Sequence, residues 1–172
     1  MRGPAKAFRS MKHHRDRQSA RNLRELAMTT VAAILKHKGY QVSTVEPTAN
    51  VSEIAQLLSE RRIGAVLVID HAEQMLGIVS ERDIVRSLAA NGNRTLEMTA
   101  GQLMTRAVHI AHPETTVEQA MQMMTAGRFR HLPVIDHDTL IGLISIGDVV
   151  KARIIHQDTV VESLTAYVAG SA

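Results

Sequence analysis

Apolar residues recur along this chain with two periods, and the switches between them lay out its elements. Val31, Ile34 and Leu35 share one side of a short helix that stops before Gly39, a residue suited to a helix C-terminus. Residues 41–45 read as a short extended lead-in to Pro47. Val51, Ile54, Leu57 and Leu58 then line one face of a helix predicted over Val51–Arg61. Residues 65–70 and 75–80 are β-branched runs joined by the polar turn 71–74, so they are expected to pair as strands. Helical spacing returns over 81–90 and is interrupted at Asn91-Gly92-Asn93.

The same order then comes back. Pro47, Val51, Arg62, Val68, Ile69 and Asp70 recur as Pro113, Val117, Arg128, Val134, Ile135 and Asp136 at a constant offset of 66, which falls to 65 before Gly142. Strands are accordingly expected at 131–136 and 140–145 and a helix at 146–156. Asn50 with Glu53, and Thr116 with Gln119, stand at the capping positions of two equivalent helices. A repeat this long marks a duplicated subdomain, whose copies would bury their apolar faces against each other about a pseudo-twofold axis. The expected fold class is α+β, each copy running β-α-β-β-α. Val160, Val161, Leu164 and Val168 predict a C-terminal helix within 158–172 that packs on the body or on a second subunit.

Composition changes this picture in three places. The chain has no Cys, which removes disulfides, thiol chemistry and cysteinyl metal sites and points to a reducing, cytoplasmic setting. No apolar run approaches the roughly 20 residues that span a bilayer, so a soluble protein without membrane contact is expected. The net charge of +3 is unevenly spread. Residues 1–27 carry eight Lys or Arg against Asp16 and Glu25, and the remainder holds 12 basic and 15 acidic side chains. The basic extension could be a solvated helix over 10–26, a targeting peptide, or an arm for an anionic partner. Phe8 is its only aromatic, so it offers little to stack on bases.

The candidate chemistry sits at the strongest part of the repeat. Gly77-Ile78-Val79-Ser80-Glu81-Arg82-Asp83 returns as Gly142-Leu143-Ile144-Ser145-Ile146-Gly147-Asp148. A hydroxyl and a carboxylate therefore meet twice at a strand-to-helix turn. Such a carboxylate either caps its helix or accepts from a ligand's hydroxyls. Gln102-Leu103-Met104-Thr105 and Arg128-Phe129-Arg130-His131-Leu132-Pro133-Val134 flank the second copy. With these motifs, residues 31–155 resemble a tandem pair of cystathionine-β-synthase (CBS) domains, the Bateman module, with repeats at 31–90 and 99–155. In the absence of an appended domain the chain resembles the stand-alone bacterial pairs.

The resemblance implies adenosine-nucleotide ligands, with AMP foremost and ADP, ATP, NAD or S-adenosylmethionine as the others. It implies that each cleft mixes the copies. Asp148 would stand with Lys38, Val42, Ser43, Ile63, Gly64 and Ala65, and Asp83 with Met104, Val108, Phe129, Arg130 and His131. Ser80, Arg82 and Ser145 complete the expected set. Asp83 and Asp148 would accept from the ribose hydroxyls, apolar members would hold adenine, and helix amides with Arg130 and His131 would meet phosphate. Copy one has Gly64-Ala65 where copy two has Arg130-His131, so the sites should be unequal. The resemblance also implies a flat homodimer through the helices, with apolar faces beginning at Ile84 and Val149, and a regulated partner protein.

Other features carry less. Nine His residues show no metal-ligand spacing, and Met121, Met123 and Met124 read as core filler. Glu81 and Arg82 have no nucleophile with an orienting base, so an enzyme is not expected. The reading is a nucleotide-sensing regulatory module. Its competitors are a nucleic-acid-associated regulator using the basic arm, tested by salt-dependent binding lost on deleting 1–27, and a purely structural dimerisation module.

Overall fold

Two amphipathic helices at equivalent places in the repeat start on matching caps. In α2 (Val51–Arg61) the Asn50 N–H donates to Glu53 Oε2 at 3.0 Å; in α5 (Val117–Gly127) the Thr116 N–H donates to Gln119 Oε1 at 2.9 Å. Each closes on an arginine in the left-handed region, Arg62 at φ 53° and Arg128 at φ 54°. The computed structural model describes residues 30–169, with 159–169 described as helical backbone. The basic segment 1–27, its expected helix, and the tail side chains from Val160 to Val168 lie outside the described residues.

In the first copy β1 (Thr44–Val45) runs parallel to β2 (Ala65–Ile69), which pairs antiparallel with β3 (Met75–Ser80) in the register Ala65 opposite Ser80. In the second, β4 (His131–Asp136) pairs antiparallel with β5 (Thr139–Ser145), His131 opposite Ser145. The expected leading strand of the second copy shrinks to a single parallel bridge between Ala111 and Val134. Pro133 explains the loss. Its counterpart Leu67 donates its N–H to the Ser43 carbonyl at 3.1 Å, and a proline has no N–H to give to the equivalent carbonyl.

Helices α3 (Glu81–Asn91) and α6 (Ile146–Ala169) follow the paired strands. The break expected between the helix at 146–156 and a separate tail helix is absent: α6 runs unbroken for 24 residues. Nothing in 156–159 is a Gly or Pro that would stop it. Ile84 and Val149, expected to start an outer apolar face, are instead buried at 7 % and 0 % exposure. Their neighbours Val85 and Val150 face outward with Leu88 and Ile154, because adjacent helical residues sit 100° apart.

The cores are exchanged between the copies. Helix α1 (Val31–Lys38) donates its N-terminal amides to Thr115 and Pro113, and its Val31, Ile34 and Leu35 complete the core of the second copy with Val117, Leu132 and Ile144. The short helix α4 (Ala100–Leu103) bonds back to Ala49 and Pro47, and Ala100 and Met104 complete the first core with Val51, Ile54 and Val79. Each lead-in segment thus lies against the copy it does not precede. Buried apolar surface of this kind stabilises at about 25 cal/mol per Å², so neither copy keeps its full core without the other. Among the described residues no helix is long and apolar enough to cross a membrane.

Candidate ligand-binding cleft

The turn from β3 into α3 holds Ser80 and Asp83 together. The Ser80 N–H donates to Asp83 Oδ2 at 2.8 Å and the Ser80 hydroxyl donates to the same oxygen at 2.6 Å. The turn from β5 into α6 repeats this, with both Ser145 groups donating to Asp148 Oδ2 at 2.8 Å. Each aspartate therefore does cap its helix, through one oxygen only. Backbone bonds set the turns equally: Glu81 N–H donates to the Gly64 carbonyl and Ile146 N–H to the Arg130 carbonyl.

Beyond the first turn opens a cleft of about 280 Å³ formed by both copies. Ser80, Arg82, Asp83, Val108, Phe129, Arg130 and His131, all expected there, line it. Met104 does not. Its side chain is only 9 % exposed and packs in the first core, beside Gly77. The cleft also gathers Arg86, Arg128 and His109, which the sequence reading left out. The repeat offset pairs His109 with Ser43 and Arg128 with Arg62, so applying it residue by residue would have found His109. The His109 ring stacks on Phe129, centroids 4.9 Å apart and planes 16° from parallel.

Among the described residues, four arginines and one aspartate thus line this space. Arg82 Nη1 donates to the Arg128 carbonyl, tying α3 to the second copy. Arg130 lies 3.6 Å from Glu81 in a half-exposed ion pair that contributes little to stability. Burial pushes the His131 imidazole down to about 4, with Arg130, Lys38 and Arg82 acting in the same direction and Asp148 opposing them. His131 is therefore neutral at pH 7.

Around Asp148 the expected group comes together differently. Lys38, at the end of α1, donates to Asp148 Oδ2 at 2.6 Å, the two side chains being 34 % and 24 % exposed. Burial would raise the Asp148 carboxyl, but the hydrogen bonds from Lys38 and Ser145 and the Lys38 charge outweigh it and hold the carboxyl below its ordinary value. The Gly64 Cα meets the His131 ring: a Cβ there would stand 3.0 Å from Cε1. Ala65 is buried at 2 % exposure, Ile63 packs on the first core, and the Ser43 hydroxyl accepts from Arg61 at 3.0 Å. Val42 is half-buried between α1 and β1. The cavity of about 250 Å³ that Asp148 does border opens between α1 and α6, lined by Ala33, Ile34, Lys38, Lys151 and Ala152 among others. Of the expected group only Lys38 and Asp148 line it.

A family model described as "CBS domain" matches residues 25–90 and 100–155. Among curated relatives, the mitochondrial CBS domain-containing protein CBSX3 of Arabidopsis thaliana is 34 % identical over 152 residues, 83 % of this chain and 73 % of that one. Among solved structures, a CBS-domain containing protein from Agrobacterium tumefaciens is 44 % identical with a TM-score of 0.71, the match covering 73 % of this chain and 93 % of that one. The CBS domain pair of protein MJ0100, solved with 5'-methylthioadenosine and S-adenosyl-L-methionine, is 25 % identical with a TM-score of 0.63, over 72 % of this chain and 94 % of that one.

Proposed function

The chain belongs to the CBS-domain family, as a pair of regulatory repeats, and we propose that it senses an adenosine nucleotide bound in the Asp83 cleft. The observation that carries this reading is the gathering, in one cleft, of a carboxylate that keeps an oxygen free of its cap with Arg82 and Arg86 of its own helix and Arg128 and Arg130 of the second copy. A ribose diol donates to Asp83 Oδ1, which takes no part in the cap. Phosphate oxygens accept from the arginines in charge-assisted bonds, and Ile78, Val108 and Phe129 supply apolar surface for the base. The likeness to a pair solved with two adenosine-derived ligands supports the adenosine moiety.

Charge separates the nucleotides from their relatives. S-adenosylmethionine brings a sulfonium cation towards four arginines, whereas AMP, ADP, ATP and NAD bring anions. The phosphorylated ligands are therefore preferred. The cleft joins both copies, so a ligand selective for one arrangement of the repeats shifts the population towards it, and at a hundred times its Kd adds about 2.7 kcal/mol to that state. A second copy docked on Val85, Leu88, Val150 and Ile154 would pass the change on as a homodimer, measurable by sedimentation.

Calorimetry with AMP, ADP, ATP, NAD, adenosine and S-adenosylmethionine tests the reading. Arg130→Ala should weaken the phosphorylated ligands about tenfold and leave adenosine within about twofold. Absence of binding by all six, or tighter binding of S-adenosylmethionine than of any phosphorylated ligand, would overturn it.

A further inference from the structure

The Asp148 turn copies the Asp83 turn bond for bond, yet its surroundings are filled from within the chain. Lys38 reaches Asp148 Oδ2 from α1, 110 residues away in sequence, adding a third donor to an oxygen that already accepts two from Ser145. The imidazole of His131 lies against Gly64, the backbone at which a ligand in this half would have to approach. Two of the four arginines of the first cleft have no cationic counterpart, since Gly147 stands for Arg82 and Gly64 for Arg130 across the repeat, while Lys151 stands for Arg86 and Arg62 for Arg128. Among the described residues only Lys38 and Lys151 bring positive charge to the cavity beside Asp148, and Lys38 is already bonded to the carboxylate. At the position equivalent to Lys38 the second copy has Met104, which is buried in the core and leaves Asp83 alone.

We propose that Lys38 is a built-in occupant of Asp148, so that the chain takes one nucleotide, in the Asp83 cleft, and admits a second only when Lys38 is withdrawn. The inference rests on the reading of the Asp83 cleft given above. The Lys38 ammonium sits on the capped oxygen Oδ2 and leaves Oδ1 outside these bonds, so it opposes a ribose diol by engaging the carboxylate's charge and standing beside the oxygen the diol would use. Being intramolecular, it acts at a fixed effective concentration and raises the ligand concentration this half requires. Lys38 thereby sets stoichiometry as well as local structure. Lys38→Met gives this half the residue that the other half already carries, and removes a competitor without adding bulk to the cleft.

Amide resonances of Ser80 and Ser145 in the full chain report the two turns separately. In wild type, ADP and adenosine should shift Ser80 saturably, while Ser145 responds at least about tenfold more weakly. In Lys38→Met, adenosine, which needs no cation, should shift both amides within about tenfold of each other in concentration. Equal saturation of Ser80 and Ser145 in wild type would overturn the occupancy proposal while leaving the Asp83 reading intact, as would a Ser145 amide that stays silent in Lys38→Met. Silence of Ser80 in both proteins would overturn the Asp83 reading and this inference together.

Discussion

The two strand-to-helix turns are nearly superposable in their bonds and opposite in their company. At Asp83 the carboxylate shares a cleft with Arg82 and Arg86 of its own helix and with Arg128 and Arg130 of the second copy. At Asp148 it is held by Lys38, and the His131 ring lies against Gly64. Four side chains make the difference: Arg82 against Gly147, Arg130 against Gly64, His131 against Ala65, and Met104 against Lys38. A capping carboxylate is kept in both copies because the helix needs it, whereas the charges beyond it are free to diverge. Duplication of a motif therefore does not duplicate its electrostatic field.

The largest effect that would sharpen this comparison lies beneath the turns, at the equivalent glycines of β3 and β5. A Cβ on Gly77 would stand 2.6 Å from the Thr105 carbonyl oxygen, which belongs to backbone paired with β3 and cannot move aside. One on Gly142 would meet the terminal carbons of Leu35, which can rotate. Gly77→Ala should lower stability by about 3 kcal/mol and Gly142→Ala by about 1, read from urea midpoints. Equal losses would mean that the two copies tolerate crowding alike.

Next in size is the ligand itself. Asp83→Asn should weaken ADP binding by about 1.5–3 kcal/mol, ten- to a hundredfold, and Asp148→Asn by less than about twofold. Calorimetry showing comparable losses for both variants would break the asymmetry.

Smaller at any one pH step is the response of His131, which no residue of the first copy mirrors. Its folded value of about 4 lies below the ordinary 6.5, so the unfolded chain binds more protons between these limits. The contribution is whole above pH 6.5 and is lost as pH falls towards 4, at up to about 1.4 kcal/mol per pH unit. Asp148, held below its ordinary 3.8, loses its contribution in the same direction but at lower pH. His131→Gln should flatten the wild-type decline between pH 6.5 and 4 in denaturant titrations. An unchanged slope would place the charge response elsewhere.

The smallest expected effect is on folding in Lys38→Met. A partly exposed ion pair contributes less than about 1 kcal/mol, so the thermal midpoint should move by only a few degrees even as ligand occupancy changes. A large fall would make Lys38 a structural residue first.

The pattern of apolar positions, the caps at Asn50 and Thr116, and the offset of 66 already determine the repeat, its paired strands, the α+β class and the pairing of Ser80 with Asp83, since all of these depend on neighbours within a few residues or on identity between copies. His109 was legible too, through the same offset. What only the tertiary structure decides is which copy each segment serves. Val31, Ile34 and Leu35 form the same apolar stripe whichever core they enter, and nothing local tells a stripe its partner. The loss of the second leading strand turns on a hydrogen bond that Pro133 cannot give to a segment more than 20 residues upstream. Burial of Met104, the ring of His131 against Gly64, and the meeting of Lys38 with Asp148 across 110 residues all follow from that exchange of lead-in segments. Such contacts between distant residues are set by the packing of whole elements, and a one-dimensional pattern carries no record of them.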